Sequence, residues 1–238
     1  MGRVNSKIMD NKQIIDNYKQ IAEFLYQCFL DNCEIVVHDF TDINNSIVAI
    51  YNGEISSRGV GAPVTDFALE IIKNKRYQQQ NYVANYITVT NTGKKLRSAT
   101  YFIKNEEGDL LGLLCINIDV SLYEETSKIL NRLIKGPTPQ QDPLVEEEEE
   151  IGYTLQVKEG IETFSASVDE MVETIIYKET AGIPVDRLHS DEKTELVRIL
   201  NEKGVFMLKG GVASTAKALA ISEATVYRYL SKLKNSMN

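Results

Sequence analysis

The sequence predicts an α+β protein: an N-terminal antiparallel sheet with helices, followed by an all-α C-terminal part. Three observations predict it. Five short strand-like runs lie before residue 121, with turn chemistry at Asn52-Gly53 and Gly108-Asp109. Beyond residue 158 only helical spacing recurs, and a stretch rich in proline and glutamate lies between the two patterns. A chain of 238 residues is long enough for one large or two ordinary domains.

The elements follow in order. Ile14, Tyr18, Ile21, Leu25 and Cys28 or Phe29 recur at helical spacing and predict an amphipathic first helix. Strands are expected at 34–40, 46–51, 82–90, 96–104 and 110–120. Asn52-Gly53 closes the second, and Gly108-Asp109 turns the chain between the last two. A helix over 65–75, N-capped by Thr65, separates the second and third strands, and a further helix follows Asp119 through Leu122, Ile129 and Leu130. Two strands, a helical crossover and three antiparallel strands are the arrangement of a PAS-like domain, assigned here to residues 1–134. The segment 135–150 holds Pro137, Pro139, Pro143 and five consecutive glutamates from Glu146 to Glu150. Prolines deny the backbone donors and like charges repel, so an extended acidic linker is expected. Residues 151–238 then form a helical domain, with a short strand-like run at 153–157. Its first helix is expected over 164–179 with Val168, Met171, Val172, Ile175 and Ile176 on one side. Ser190 is expected to cap the next, which carries Leu196, Val197, Ile199 and Leu200 and stops at Gly204. Two short helices complete the chain.

Composition narrows the function. No run approaches the ~20 apolar residues that a membrane span needs. The N-terminus lacks the apolar core of a signal peptide, and three cysteines without a CxxC pair suit a reducing compartment, so a cytoplasmic location is expected. Net charge is −8, yet residues 205–238 hold Lys209, Lys217, Arg228, Lys232 and Lys234 against Glu223 alone. A basic tip on an acidic body suits docking of one face on a phosphate backbone.

The most specific motif, STAKALAISEATVYRYLSKL, fills 214–233. Ala216 is small where the helices of a helix-turn-helix cross closely, and Leu219, Ile221 and Val226 are apolar where they are held at a fixed angle. Ser222 is a good N-cap for the second helix, and Glu223 suits its positive end. Val226, Tyr229, Leu230 and Leu233 make its inward stripe, so the helix-turn-helix is placed at about 212–234. Ser222, Glu223, Ala224, Thr225, Tyr227, Arg228, Ser231 and Lys232 are left facing out as the DNA-binding candidates. Ala220 stands where the turn usually has glycine; a positive φ there costs about 1 kcal/mol. A plain helical hairpin shares the apolar spacing but explains neither the local charge nor the small residue.

Most of the chain outside the linker resembles the YheO-like regulators, which join a PAS-type domain to a DauR-type helix-turn-helix. The resemblance is carried by IVVHDF (35–40), Asn52-Gly53, GAPVTDFAL (61–69), LRSATY (96–101), GLLCINID (112–119) and TVYRYL (225–230). It implies a bacterial transcription factor, in some members a repressor of catabolic genes, with a small-molecule sensor.

Alternation puts Ser98 and Thr100 on one face of the fourth strand, Cys115 and Asn117 on one face of the fifth, and His38 beside Val36 and Phe40 on the first. Polar groups at mostly apolar positions need partners when buried, either in the protein or in a ligand. His38, Tyr86, Ser98, Thr100, Cys115 and Asn117 are therefore the ligand-binding candidates, with internal hydrogen bonding or surface exposure as the alternative for each. The two histidines, His38 and His189, are too far apart in sequence to suggest a metal site, and no phosphate loop, nucleophile elbow or other catalytic constellation occurs. The expectation is a non-enzymatic regulator without a cofactor or membrane contact, whose partners are double-stranded DNA, a small-molecule effector and a second copy of itself. A PAS-type interaction or signalling module without specific DNA binding remains the alternative.

Overall fold

The computed structural model describes residues 10–29, 31–90, 92–135, 162 and 164–236. All but the first residue of the acidic segment 135–150, and the strand-like run 153–157, lie outside the described residues. Five strands form one antiparallel sheet: β1 (Cys33–Asp39), β2 (Ile47–Tyr51), β3 (Tyr82–Val89), β4 (Lys95–Lys104) and β5 (Leu110–Asp119), in the order β2-β1-β5-β4-β3. Each strand falls within a residue or so of its expected place. A bulge between Ala84 and Tyr86, with Asn85 at φ 59°, resets the alternation of β3.

The two sheet faces are buried by different partners. Cys33, Ile35, Val37, Ile103 and Leu114 pack under α1 (Asn11–Cys28). The helix meets the sheet along Ile15 and Ala22, with Ile14, Tyr18 and Leu25 at the flanks; Ile21, expected in the stripe, is exposed. One residue is a 100° rotation, so a line of contact through Ala22 turns Ile21 outward. The opposite face, with Val36, Tyr86, Phe102, Leu113 and Cys115, packs beneath α2 (Asp66–Lys73). Thr65 caps α2 as expected, its hydroxyl accepting from the Ala68 N–H at 3.2 Å. After β5, α3 (Ser121–Lys135) leaves Leu122, Ile129, Leu130, Leu133 and Ile134 exposed.

The C-terminal part consists of α4 (Val168–Glu179), α5 (Ser190–Glu202), α6 (Gly211–Ala218) and α7 (Glu223–Ser236). Two helix starts differ from expectation. Ser167 caps α4 by accepting from the Glu170 N–H, so Phe164 precedes the helix and lies in the sheet's inner face instead. The cap position of α5 belongs to His189, whose backbone N–H donates to the Glu192 carboxylate at 2.7 Å, and Ser190 is the first helical residue. Met171, Val172, Ile175 and Ile176 of α4 are buried within this part, so that stripe is spent on the core and is not available for pairing between copies.

One continuous apolar core runs from the sheet's inner face through α2 into α4–α7. Polar ties reinforce it. The Lys73 ammonium donates to the carbonyls of Asn201 and Glu202 at the end of α5, and Lys203 lies 3.6 Å from the buried Asp66 carboxylate. Asn44 exchanges two hydrogen bonds with the backbone of Lys209. Gly204 ends α5 at φ 81°, and a Cβ there would come within 3.1 Å of Leu69 in α2. That glycine serves both the stop and the close approach.

Candidate DNA interface and sensor site

The α6–α7 pair is built around a tight C-terminal cap. Ala220 has φ 51°, Ile221 N–H reaches back to the Ala216 carbonyl at 3.0 Å, and Ala220 N–H reaches Lys217 at 3.2 Å. This is the 6→1 and 5→2 pattern of a Schellman motif, with the expected positive φ at an alanine. Leu219 and Val226 are fully buried, and Ala216 lies at the crossing. Ser222 caps α7, its hydroxyl accepting from the Thr225 N–H at 3.1 Å. Tyr229 is buried and its hydroxyl meets Ser190 at 3.1 Å, while the Lys193 ammonium donates to the Leu219 carbonyl at 3.0 Å, so α5 braces both the helix and the turn.

Of the eight DNA-binding candidates, Ser222, Glu223, Ala224, Tyr227, Arg228, Ser231 and Lys232 are exposed, and Thr225 is half-buried. The Arg228 guanidinium lies 5.6 Å from the Tyr229 ring centroid, which leans it along the helix. Lys217, by contrast, is engaged by Asp169 of α4 at 2.9 Å. A rigid, capped helix with a polar, cationic outer face is what groove reading requires.

All six sensor candidates are buried on the inner face of the sheet. His38 meets the Ser46 hydroxyl at 2.8 Å, and burial pushes its imidazole down to about 3, so it is neutral. Tyr86, Thr100 and Cys115 form a chain, at 2.8 Å from Tyr86 to Thr100 and 3.4 Å from Thr100 to Cys115. Burial raises the Cys115 thiol to about 12, so it is an inert group. Ser98 pairs with Thr88 at 3.2 Å, and the Asn117 amide donates to the Glu34 carboxylate at 2.8 Å.

Five further residues belong to this site and were not anticipated. Glu34 is fully buried and is held by Arg58 at 3.2 Å, by Ser56 and by Asn117. Its position two residues before Val36 on β1 already placed it on this face by alternation. Arg58 lies in a loop, and Glu162 and Phe164 arrive from beyond the acidic segment; no local pattern marks them. The Tyr86 hydroxyl donates to Glu162 at 3.2 Å, and burial raises the Glu162 carboxyl to about 7 against the opposing pull of Arg58. Two surface cavities, one lined by Phe29, Arg97 and Tyr123 and one by Ile15, Phe40 and Leu111, involve none of the six candidates.

Comparison with known proteins gives two domain matches, a YheO-like PAS domain over residues 9–135 and a helix-turn-helix domain over residues 167–231. Protein YheO of Escherichia coli K12 is 28% identical over 93% of this chain and 85% of its own length. A Haemophilus influenzae protein is 29% identical over 94% of this chain and 93% of its own. The transcriptional regulator DauR of Pseudomonas aeruginosa is 28% identical over 92% of this chain and 94% of its own. The PAS match alone spans more than half of the sequence and the second coincides with the α4–α7 part, so this chain belongs to the YheO-like PAS family and carries a C-terminal helix-turn-helix domain.

Proposed function

We propose that the protein is a transcriptional regulator that inserts α7 into the major groove of DNA, under the control of a small molecule bound at the inner face of its sheet. The observation that carries the DNA reading is the outer face of α7, polar and cationic on a helix held rigid by the Ala220 turn and the Ser222 cap. The homology to DauR agrees with it. Ser222, Glu223, Ala224 and Thr225 stand at the end of the helix that enters the groove. Tyr227, Arg228, Ser231 and Lys232 follow along the exposed side. Arg228 reads a guanine edge and Lys232 neutralises a phosphate. The work is non-enzymatic and cytoplasmic, where the DNA is. The functional division follows the acidic linker at 135–150, with the sensor before it and the reader after it. Buried polar side chains concentrated on one sheet face support the sensor role of His38, Tyr86, Ser98, Thr100, Cys115 and Asn117.

A single helix-turn-helix reads few base pairs, and a symmetric pair doubles the site. The partner in that pairing is a second copy of this chain, seated on the exposed apolar side of α3 and on Phe24 of α1, since the α4 stripe is buried. A monomeric mass in light scattering at micromolar concentration overturns the pairing.

The DNA reading is tested by selecting genomic fragments on the full-length protein and measuring their affinity against salt. Arg228→Ala loses ~1–3 kcal/mol on the selected sequence and relaxes preference at one position. Lys232→Ala weakens all DNA alike and lowers the salt slope by about one phosphate's worth. Unchanged binding in both folded variants sinks the assignment of α7.

A further inference from the structure

Glu162 and Phe164 precede α4 in the chain but pack against the sheet. The Phe164 ring is fully buried with Ile55 and Leu96, and the Arg58 guanidinium stands 4.6 Å from its centroid. The Glu162 carboxyl is buried beside it and accepts from the Tyr86 hydroxyl. A phenyl ring and a carboxyl group, both from outside the sheet, thus occupy a site floored by a buried arginine.

The occupants do not complete that site. Among the described residues, Arg58 Nη1 and Asn117 Oδ1 are buried and have no hydrogen-bond partner, and neither has Ser165 Oγ. Arg58 and Asn117 each donate to the same oxygen of Glu34, so an unused donor and an unused acceptor flank one carboxylate. Buried polar groups of this kind are rare and costly, and they favour a ligand that supplies the missing partners.

A short covalent path joins this site to the DNA-reading part. Three residues after Phe164, Ser167 caps α4. Two residues further, the Asp169 carboxylate receives the Ser214 hydroxyl and the Lys217 ammonium, both on α6. Whatever holds or frees Phe164 therefore acts on the end of α4 that clasps the first helix of the helix-turn-helix.

We propose that Glu162 and Phe164 form an internal ligand of the sensor site, and that a small aromatic carboxylic acid displaces them and, through the first turn of α4, changes the seating of α6 and α7. This rests on the reading that the sheet's inner face takes a small molecule. The incoming ring takes over the stacking on Arg58 and the contacts with Ile55 and Leu96. The incoming carboxylate takes the place of the Glu162 carboxyl and offers Arg58 Nη1 an acceptor.

The test uses full-length protein, with phenylacetate as the acidic probe and toluene as the neutral one. Binding is read by calorimetry, and hydrogen exchange is followed in α4 and α6. The wild type must expel its own ring before binding, so Phe164→Ala binds phenylacetate at least about tenfold tighter. The same variant exchanges faster in the first turn of α4 and at Ser214 and Lys217, and saturating phenylacetate produces that change in the wild type. Should Phe164→Ala fail to fold, Phe164→Leu keeps apolar volume without the planar face and is held to the same two readouts. Phenylacetate binding with unaltered exchange in α6 overturns the proposal and leaves the sensor reading intact. So does toluene filling the vacated space while phenylacetate does not bind. If neither probe binds a folded variant, the proposal is overturned.

Discussion

On α7, Glu223, Arg228, Ser231 and Lys232 stand in solvent, whereas on the sheet Glu34, His38, Ser98, Thr100 and Asn117 are buried. The same residue types therefore have opposite energetics at the two ends of the molecule. An exposed cation on a helix loses little by being there and is available to a phosphate or a base edge. A buried carboxylate must be matched by partners in place, and Glu34 has Ser56, Arg58 and Asn117. The comparison separates a charged face in solvent from a carboxylate held among buried partners.

Breaking the buried end has the largest expected effect. Arg58→Met strips the cation from Glu34 and the stacking partner from Phe164, and it lowers unfolding free energy by about 3–5 kcal/mol. A loss below about 1 kcal/mol in denaturant titrations would mean that water reaches the cluster freely and that the site is not the closed interior described above.

The next effect is in pH. Burial raises the Glu162 carboxyl to about 7, with Arg58, Thr65 and Tyr86 drawing it down and Asp66 pushing it up. A carboxyl raised in the folded state binds a proton that the unfolded chain releases near its ordinary value of 4.5. Its cost is absent below that value, grows as pH rises through about 7, and is constant above. Wild-type thermal stability should therefore decline from pH 5 to pH 8 more steeply than that of Glu162→Gln. Equal slopes in the two proteins would show that Glu162 does not titrate in its buried place.

The smallest effect sharpens the exposed end. Ala220 holds φ 51°, where an L side chain is strained, so Ala220→Gly should gain up to ~1 kcal/mol without altering the face of α7. Destabilisation by that substitution would show that the turn is held by its side chain rather than in spite of it.

Much of the candidate site was legible. Strand-like runs located all five strands, and alternation put Ser98 with Thr100, Cys115 with Asn117, and His38 with Val36 and Phe40 on one face of their own strands, because strand geometry leaves each side chain only two directions. Tyr86 is the exception, since the bulge at Asn85 sets its direction and no pattern in β3 announces it. Glu34 obeyed the same alternation and was still missed, since a lone glutamate in a strand is usually solvated.

The sequence by itself determined what short-range physics controls: the strands, the Thr65 and Ser222 caps, the positive φ at Ala220, and the outward polar face of α7. Only the tertiary structure decided that Arg58 would neutralise Glu34 from a loop, that Phe164 would leave α4 for the sheet, and that α2 would join the two parts through one core. Those choices depend on which distant groups share a desolvated space, and burial energetics act on that proximity whatever the separation along the chain.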